Sequence, residues 1–185
     1  MLALVMIMLL AVCLLVNHNL NLVTDCCSRG LYIGLSEEMF EDGYQNLSNI
    51  DISFTVQKQM TEMYKERYPS MVYKQMDVRQ LQYQDGTFDA VIDKGTFDSI
   101  LCGDGSGPNA AQMLSEIHRV LAPNGVYICI SYGVQQQRMH YFQSSDFDWT
   151  VSHHLVAKPT ISTSSVVSAQ QSDDRNFHWI YIMRK

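Results

Sequence analysis

Three carboxylates stand out because each follows a short strand-like run: Asp51 after Asn49-Ile50, Asp77 after residues 71–76, and Asp93 after the near-continuous apolar run Phe88-Asp89-Ala90-Val91-Ile92. Runs of that length and composition predict β-strands, with 49–52 and 88–93 buried, so each carboxylate is expected at a strand's carboxyl end. Open α/β sheets bind ligands in the crevice at those ends. A carboxylate in the place of Asp51 is the usual bidentate acceptor for two ribose hydroxyls; the alternative is a helix cap beside Ser53. Asp77 is placed to accept an exocyclic adenine amine, with the Val78 N–H serving a ring nitrogen; the alternative is a turn aspartate. Asp93-Lys94-Gly95 is the third such ending, where glycine lets backbone approach a ligand closely. Singly each carboxylate has a structural explanation, but together they point to one nucleoside-binding crevice.

The elements that would hold these groups can be read in order. Ser36 followed by Glu37 and Glu38 predicts a helix running to about Asp42 and stopping at Gly43. Residues 49–52 read as a strand, and Ser53 caps a helix with Val56, Met60, Met63 and Tyr64 on one face, closed by Pro69. Strands follow at 71–76 and 88–93, separated by the turn Gln84-Asp85-Gly86. Met113, Leu114, Ile117 and Leu121 mark another helix, and Pro123-Asn124-Gly125 turns into a strand at 126–132. Two late strands, 149–156 and 177–183, flank a Ser-rich stretch at 160–172. This order predicts an open α/β sheet ending in an antiparallel hairpin.

The whole composition limits the function classes. A chain of 185 residues is about one domain, and 46% hydrophobic residues allow a substantial core. A net charge of −6 argues against a basic nucleic-acid-binding surface. The five cysteines lack a CxxC pair, which argues against a disulfide framework or zinc knuckle. His153 and His154 are neighbours on a predicted strand and face opposite sides, so no metal site is expected there or with His178. Residues 1–16 are all apolar. A helix through them would reach about 24 Å, short of a hydrocarbon core near 30 Å. Three readings stay open for this segment: a membrane anchor, a buried element of the domain, and a start foreign to the domain's ancestral design. Residues 1–24 are accordingly set apart from a domain at 25–185.

The motifs NIDIS (49–53), QKQM (57–60), MDVRQL (76–81) and DGTFDAVIDKGTFDSILCG (85–103) resemble class I S-adenosylmethionine-dependent methyltransferases. EIHRVLAPNGVYICISYG (116–133) and FHWIYIMRK (177–185) extend the likeness, which is greatest to the eukaryotic protein-lysine methyltransferases acting on elongation factor 1-alpha. The resemblance implies a Rossmann-like seven-stranded methyltransferase sheet, mostly parallel with a C-terminal antiparallel hairpin. It implies S-adenosylmethionine as cofactor, a protein substrate such as a translation factor, a lysine acceptor and a cytoplasmic setting, with or without the N-terminal anchor. Asp51 and Ile52 would lie at the ribose, Asp77 and Val78 at the adenine. Asp93, Lys94 and Gly95 would line the methionine end and the acceptor entrance, with Asp93 as the catalytic group orienting the acceptor or the cofactor amine. Tyr132 either shapes that channel or packs in the core.

One departure accompanies the match. The family's glycine loop corresponds here to residues 28–34, where Gly30 and Gly34 persist as cofactor-binding candidates but the GxG spacing does not. Leu31 and Tyr32 would crowd a loop that must touch the cofactor's carboxypropyl chain. The first strand is expected at 20–24 or 31–33, or is not regular at all. A second reading therefore stands beside the active enzyme: a cofactor-defective relative that works as a binding scaffold, or a truncated product.

Overall fold

A computed structural model of the chain describes residues 22–25, 34–158 and 177–185. The strands β1 (Leu22–Asp25), β2 (Leu47–Asp51), β3 (Val72–Gln75), β4 (Phe88–Lys94), β5 (Leu121–Ser131), β6 (Thr150–Ala157) and β7 (Phe177–Arg184) form one sheet. Its order is β3-β2-β1-β4-β5-β7-β6. β1 to β5 pair in parallel, and β7 runs antiparallel to both β5 and β6. This is the mostly parallel sheet with a terminal antiparallel hairpin that the motifs imply. The helices are α1 (Gly34–Glu41), α2 (Phe54–Tyr64), α3 (Thr96–Leu101), α4 (Ser106–Val120) and α5 (Gln135–Phe142).

A regular first strand is present, so the reading without one is corrected. β1 pairs with β2 from Leu22↔Leu47 and with β4 from Leu22↔Ala90, which places it at the centre of the sheet. The domain thus reaches back to Leu22, inside the segment set apart as residues 1–24. Residues 1–16, the candidate anchor, lie outside the described residues, as do Gly30, Leu31 and Tyr32. Among the described residues no helix is long and apolar enough to cross a membrane.

Alternation along β5 shows how the sheet is covered on both sides, as parallel strands require. Tyr127 and Cys129 face a core with Phe97 of α3, Met113, Leu114 and Ile117 of α4, and Phe142 of α5. Val126, Ile128 and Ile130 face the opposite core with Met39 of α1 and Tyr64 of α2. On α4 the buried residues Ala110, Met113, Leu114, Ile117 and Val120 keep helical spacing, and each large one contributes about 1.5–3 kcal/mol.

Local departures have local causes. Ser53 does cap α2, accepting from the Val56 N–H at 3.4 Å. The buried face is Gln57 and Tyr64 with Met60 beside them, however, and Met63 is exposed. Leu121 opens β5 rather than closing α4. The sequence Pro123-Asn124-Gly125 sits inside that strand as an irregularity in its pairing with β4, with Asn124 at φ +66°. The short α3 and the polar α5 escaped sequence reading because neither carries a clear apolar period.

Candidate active site

The ends of β2, β3 and β4 open onto a cleft of about 290 Å³ lined by Asp51, Ile52, Asp77, Val78, Thr96 and Asn109, among others. Two of the three strand-ending carboxylates therefore share a crevice. Asp51 is nearly buried, and its Oδ1 accepts from the Ser53 N–H at 2.7 Å. That bond turns the chain into α2 and fixes the carboxylate's orientation, while Oδ2 accepts from no described residue. Ile52, next in sequence, is 59% exposed, so a branched apolar side chain stands open beside the carboxylate.

Asp77 is gripped by its near neighbour Arg79. The guanidinium Nη2 donates to Oδ2 at 2.6 Å, Nε reaches both oxygens, and the Arg79 N–H adds a bond to Oδ1 at 2.9 Å. Arg79 holds the Asp77 carboxyl below its ordinary range and donates onward to Asn109 Oδ1 at 3.1 Å. The β3–β4 connection that carries these groups is pinned to α4. Glu116 accepts from the Leu81 N–H at 2.6 Å, and Arg119 donates to the carbonyls of Leu81 and Tyr83. No local pattern announced Arg79, Asn109 or this clamp.

Thr96 Oγ1 is buried in the wall of the cleft and has no hydrogen-bond partner among the described residues. A buried hydroxyl left unpaired is destabilising unless a ligand engages it. With the Asp51 oxygen that no described residue engages and the open face of Ile52, it fits a polar ribose and an apolar base face.

Asp93 behaves differently from its two counterparts. It is completely buried and lines neither this cleft nor the second one. Its oxygens accept from the Thr96 N–H at 2.8 Å, the Phe97 N–H at 3.2 Å, the Tyr127 hydroxyl at 3.1 Å and the Cys129 thiol at 3.4 Å. Its carboxyl starts α3 and faces the core rather than either cleft, so the direct catalytic role expected for Asp93 is not among the contacts it makes here. Gly95, at φ +84°, is required by the turn between β4 and α3. A Cβ there would meet nothing within 4 Å, so close approach to a neighbour is not the reason for glycine.

Burial pushes the Asp93 carboxyl up to about 6, against the bonds from Thr96, Cys129, Phe97 and Tyr127. A folded-state value above the unfolded one means the group's contribution is fully present below about pH 4 and is lost as pH rises through about 6. The unfolding free energy of the native chain is thus expected to fall by about 2 kcal/mol relative to Asp93→Asn between pH 4 and 7. Parallel denaturant titrations of the two proteins read this directly, and a constant difference across that range overturns it.

On the other side of α3 lies a second chamber of about 420 Å³, lined by Lys94, Gly95, Asp98, Ser99, Cys102, Ile130, Ser131, Tyr132 and His178. Asp98 organises it, accepting from the Ser131 hydroxyl, from the Tyr132 N–H at 2.8 Å and from Arg138 Nη2 at 3.0 Å. This nearly buried ion pair ties α3, the end of β5 and α5 together. Tyr132 is exposed at the rim, not in the core, with its ring 5.7 Å from that of His178. Lys94 is buried among these groups, and Gly34 is the first residue of α1. Among the described residues no group of three or more His, Cys, Asp or Glu side chains could hold a metal ion.

Known proteins share this architecture. A chain from the complex between the Haloferax volcanii Trm112 methyltransferase activator and its partner protein superposes with a TM-score of 0.69 at 15% identity, over 94% of this chain and 86% of that one. A SAM-dependent methyltransferase from Methanosarcina mazei gives 0.64 at 13% identity, over 92% and 94%. Nearer in sequence, the eEF1A lysine and N-terminal methyltransferase of Xenopus laevis is 38% identical over 133 residues, 69% of this chain and 19% of that protein. The EEF1A lysine methyltransferase 4 of Mus musculus is 34% identical over 127 residues, 64% of this chain and 49% of its own length. This chain therefore spans about a fifth to a half of these relatives. Residues 26–129 match the family described as methyltransferase domain. With the strand order and the cleft at the ends of β2 to β4, that match makes the chain a member of the methyltransferase domain family.

Proposed function

We propose that the chain transfers a methyl group from S-adenosylmethionine to a lysine of a protein, with translation elongation factor 1-alpha as the acceptor. The observation that carries this reading is the pair of clefts separated by α3, one fitted to a nucleoside and the other open at Tyr132. Asp51 would hold the ribose hydroxyls, Ile52 and Val78 the faces of the adenine, and Asp77 with the Val78 N–H its edge. Thr96 supplies the unpaired hydroxyl in the same wall. Lys94 and Gly95, which line the second chamber, would serve the methionine end and the acceptor entrance, and Gly30 and Gly34 are proposed for the cofactor's amino-acid end. When bound, the cofactor supplies an electrophilic sulfonium methyl, for which alignment matters more than further activation. The protein's task is to orient the acceptor nitrogen and keep water away from it. Asp98, Ser131 and Arg138 do this by locking the wall that carries Tyr132.

The likeness to relatives whose names specify eEF1A supports the choice of acceptor. Incubating the chain with methyl-labelled S-adenosylmethionine and unmodified elongation factor 1-alpha tests it. Label on a lysine, located by peptide mass spectrometry, is the expected result. Calorimetric binding of the cofactor with no label transferred would favour the scaffold reading instead.

A further inference from the structure

We propose that Arg79 is the positioning residue that sets the base preference of the nucleoside cleft: its guanidinium fixes the Asp77 carboxylate so that one directed acceptor is left for the exocyclic amine of an aminopurine. This rests on the cofactor reading above and adds to it the group that makes Asp77 selective.

Asp77 lies two residues beyond the end of β3, where the chain leaves the sheet. The Arg79 N–H donates to its Oδ1 at 2.9 Å, closing a tight turn that brings the Arg79 side chain beside the carboxylate. Nε then donates to Oδ1 at 3.0 Å and Nη2 to Oδ2 at 2.6 Å, a fork that grips both oxygens. A longer contact of 3.2 Å joins Nε to Oδ2. An ionised carboxylate offers about four acceptor sites. The three shorter bonds take two of them on Oδ1 and one on Oδ2. The site that remains is on Oδ2, in a side chain that is 34% exposed and lines the cleft beside Val78. One acceptor matches one N–H of an exocyclic amine.

Arg79 itself is committed to the protein. Its third nitrogen, Nη1, donates to Asn109 Oδ1 at 3.1 Å, and the Asn109 amide donates in turn to the Asp104 carbonyl at 3.1 Å. Asn109 sits in the first turn of α4, so the guanidinium is held at one end by the segment after β3 and at the other by α4. With all three nitrogens engaged, Arg79 acts on a base through Asp77 and not by touching it.

Two effects of the guanidinium oppose each other. It draws charge from the carboxylate, which weakens any further hydrogen bond that Asp77 accepts. It also removes most of the water from the carboxylate before a ligand arrives and holds it in one rotamer. A solitary aspartate at this exposure would keep water on every acceptor site and rotate freely, and an incoming adenine would have to displace that water and stop that rotation. The loss of acceptor strength touches a single bond to a neutral amine, whereas dehydration and ordering act on the whole side chain. Preorganisation is therefore the larger effect. The fork also holds the carboxyl below its ordinary range, so at neutral pH it is ionised and only accepts.

Calorimetry with two probes tests this: S-adenosylhomocysteine, and the same molecule with hydrogen in place of the purine 6-amino group. Neither carries a sulfonium charge, so removing Arg79 relieves no repulsion with that group. The native chain should bind the amino form about 30-fold more tightly, as a hydrogen bond to a charged acceptor provides. Arg79→Met should weaken the amino form about 10-fold and leave the other probe within about two-fold, so that the ratio collapses. Arg79→Lys, which keeps the charge without the fork, should fall between native and Arg79→Met. Asn109→Ala frees the far end of the guanidinium and should lower the ratio about three-fold. An unchanged ratio in Arg79→Met, whether both affinities fall together or neither moves, overturns the proposal, since Arg79 would then be no more than a support for the wall. Should Arg79→Met not fold, unchanged ratios in both Arg79→Lys and Asn109→Ala overturn it equally. Native chain that binds the two probes alike would show that Asp77 does not receive the amine, with cofactor binding itself intact. Native chain that binds neither would remove the cofactor reading on which the proposal depends.

Discussion

Replacing Asp51 by alanine is expected to weaken S-adenosylmethionine binding by about 100- to 1000-fold. The carboxylate lies at the end of β2 with one oxygen spent on the Ser53 N–H and the other accepting from no described residue. Two ribose hydroxyls donating to an ionised acceptor form charge-assisted bonds of about 1.5–3 kcal/mol each, and every 1.4 kcal/mol is about one decade of affinity. The substitution also removes the bond that turns the chain into α2, so a modest loss of stability accompanies it. Asp51→Asn separates the effects, since its amide oxygen can still accept from Ser53 while the charge is gone. Calorimetry should rank the affinities native, then Asn, then Ala. A folded Asp51→Ala protein that binds as well as the native chain would show that this cleft does not hold a ribose.

Deleting residues 1–25 should abolish cooperative folding. β1 hydrogen-bonds to β2 on one side and to β4 on the other, so its loss parts β3-β2 from β4-β5-β7-β6. The freed edges of β2 and β4 would expose unpaired backbone groups in the interior and offer strands to other chains. Circular dichroism of the deletion should lack a cooperative thermal transition, and the protein should aggregate during expression. A soluble deletion variant with a sharp transition would mean that β1 is dispensable, contrary to its central position.

The readable part of this chain was the part whose meaning lies within a few residues. Asp51 and Asp77 were legible because each closes a strand-like run, and strand ends in this fold class face the crevice. Asp93 closes an apolar run in the same way, but the helix α3 begins only three residues later, at Thr96. The first N–H groups of that helix draw the carboxylate into the core. His178 and Asp98 were missed as site residues because their neighbours come from distant parts of the chain. Asp98 meets Arg138 across 40 residues, and His178 reaches Tyr132 only because β7 returns antiparallel to β5. The tetrapeptide Leu22-Val23-Thr24-Asp25 was hard to choose as the first strand, because four residues carry little periodicity and its partners begin at residues 47 and 90.

Helix α3 is a partition common to two rooms. Thr96, Ser99 and Ile100 line one side and Gly95, Asp98, Ser99 and Cys102 the other. Asp93 bolts its beginning to the core and Asp98 bolts its flank to the end of β5. A six-residue wall so held has little freedom to shift for one tenant without the other sensing it. By thermodynamic reciprocity, whatever tightening the nucleoside lends to the polypeptide acceptor, the acceptor lends back to the nucleoside.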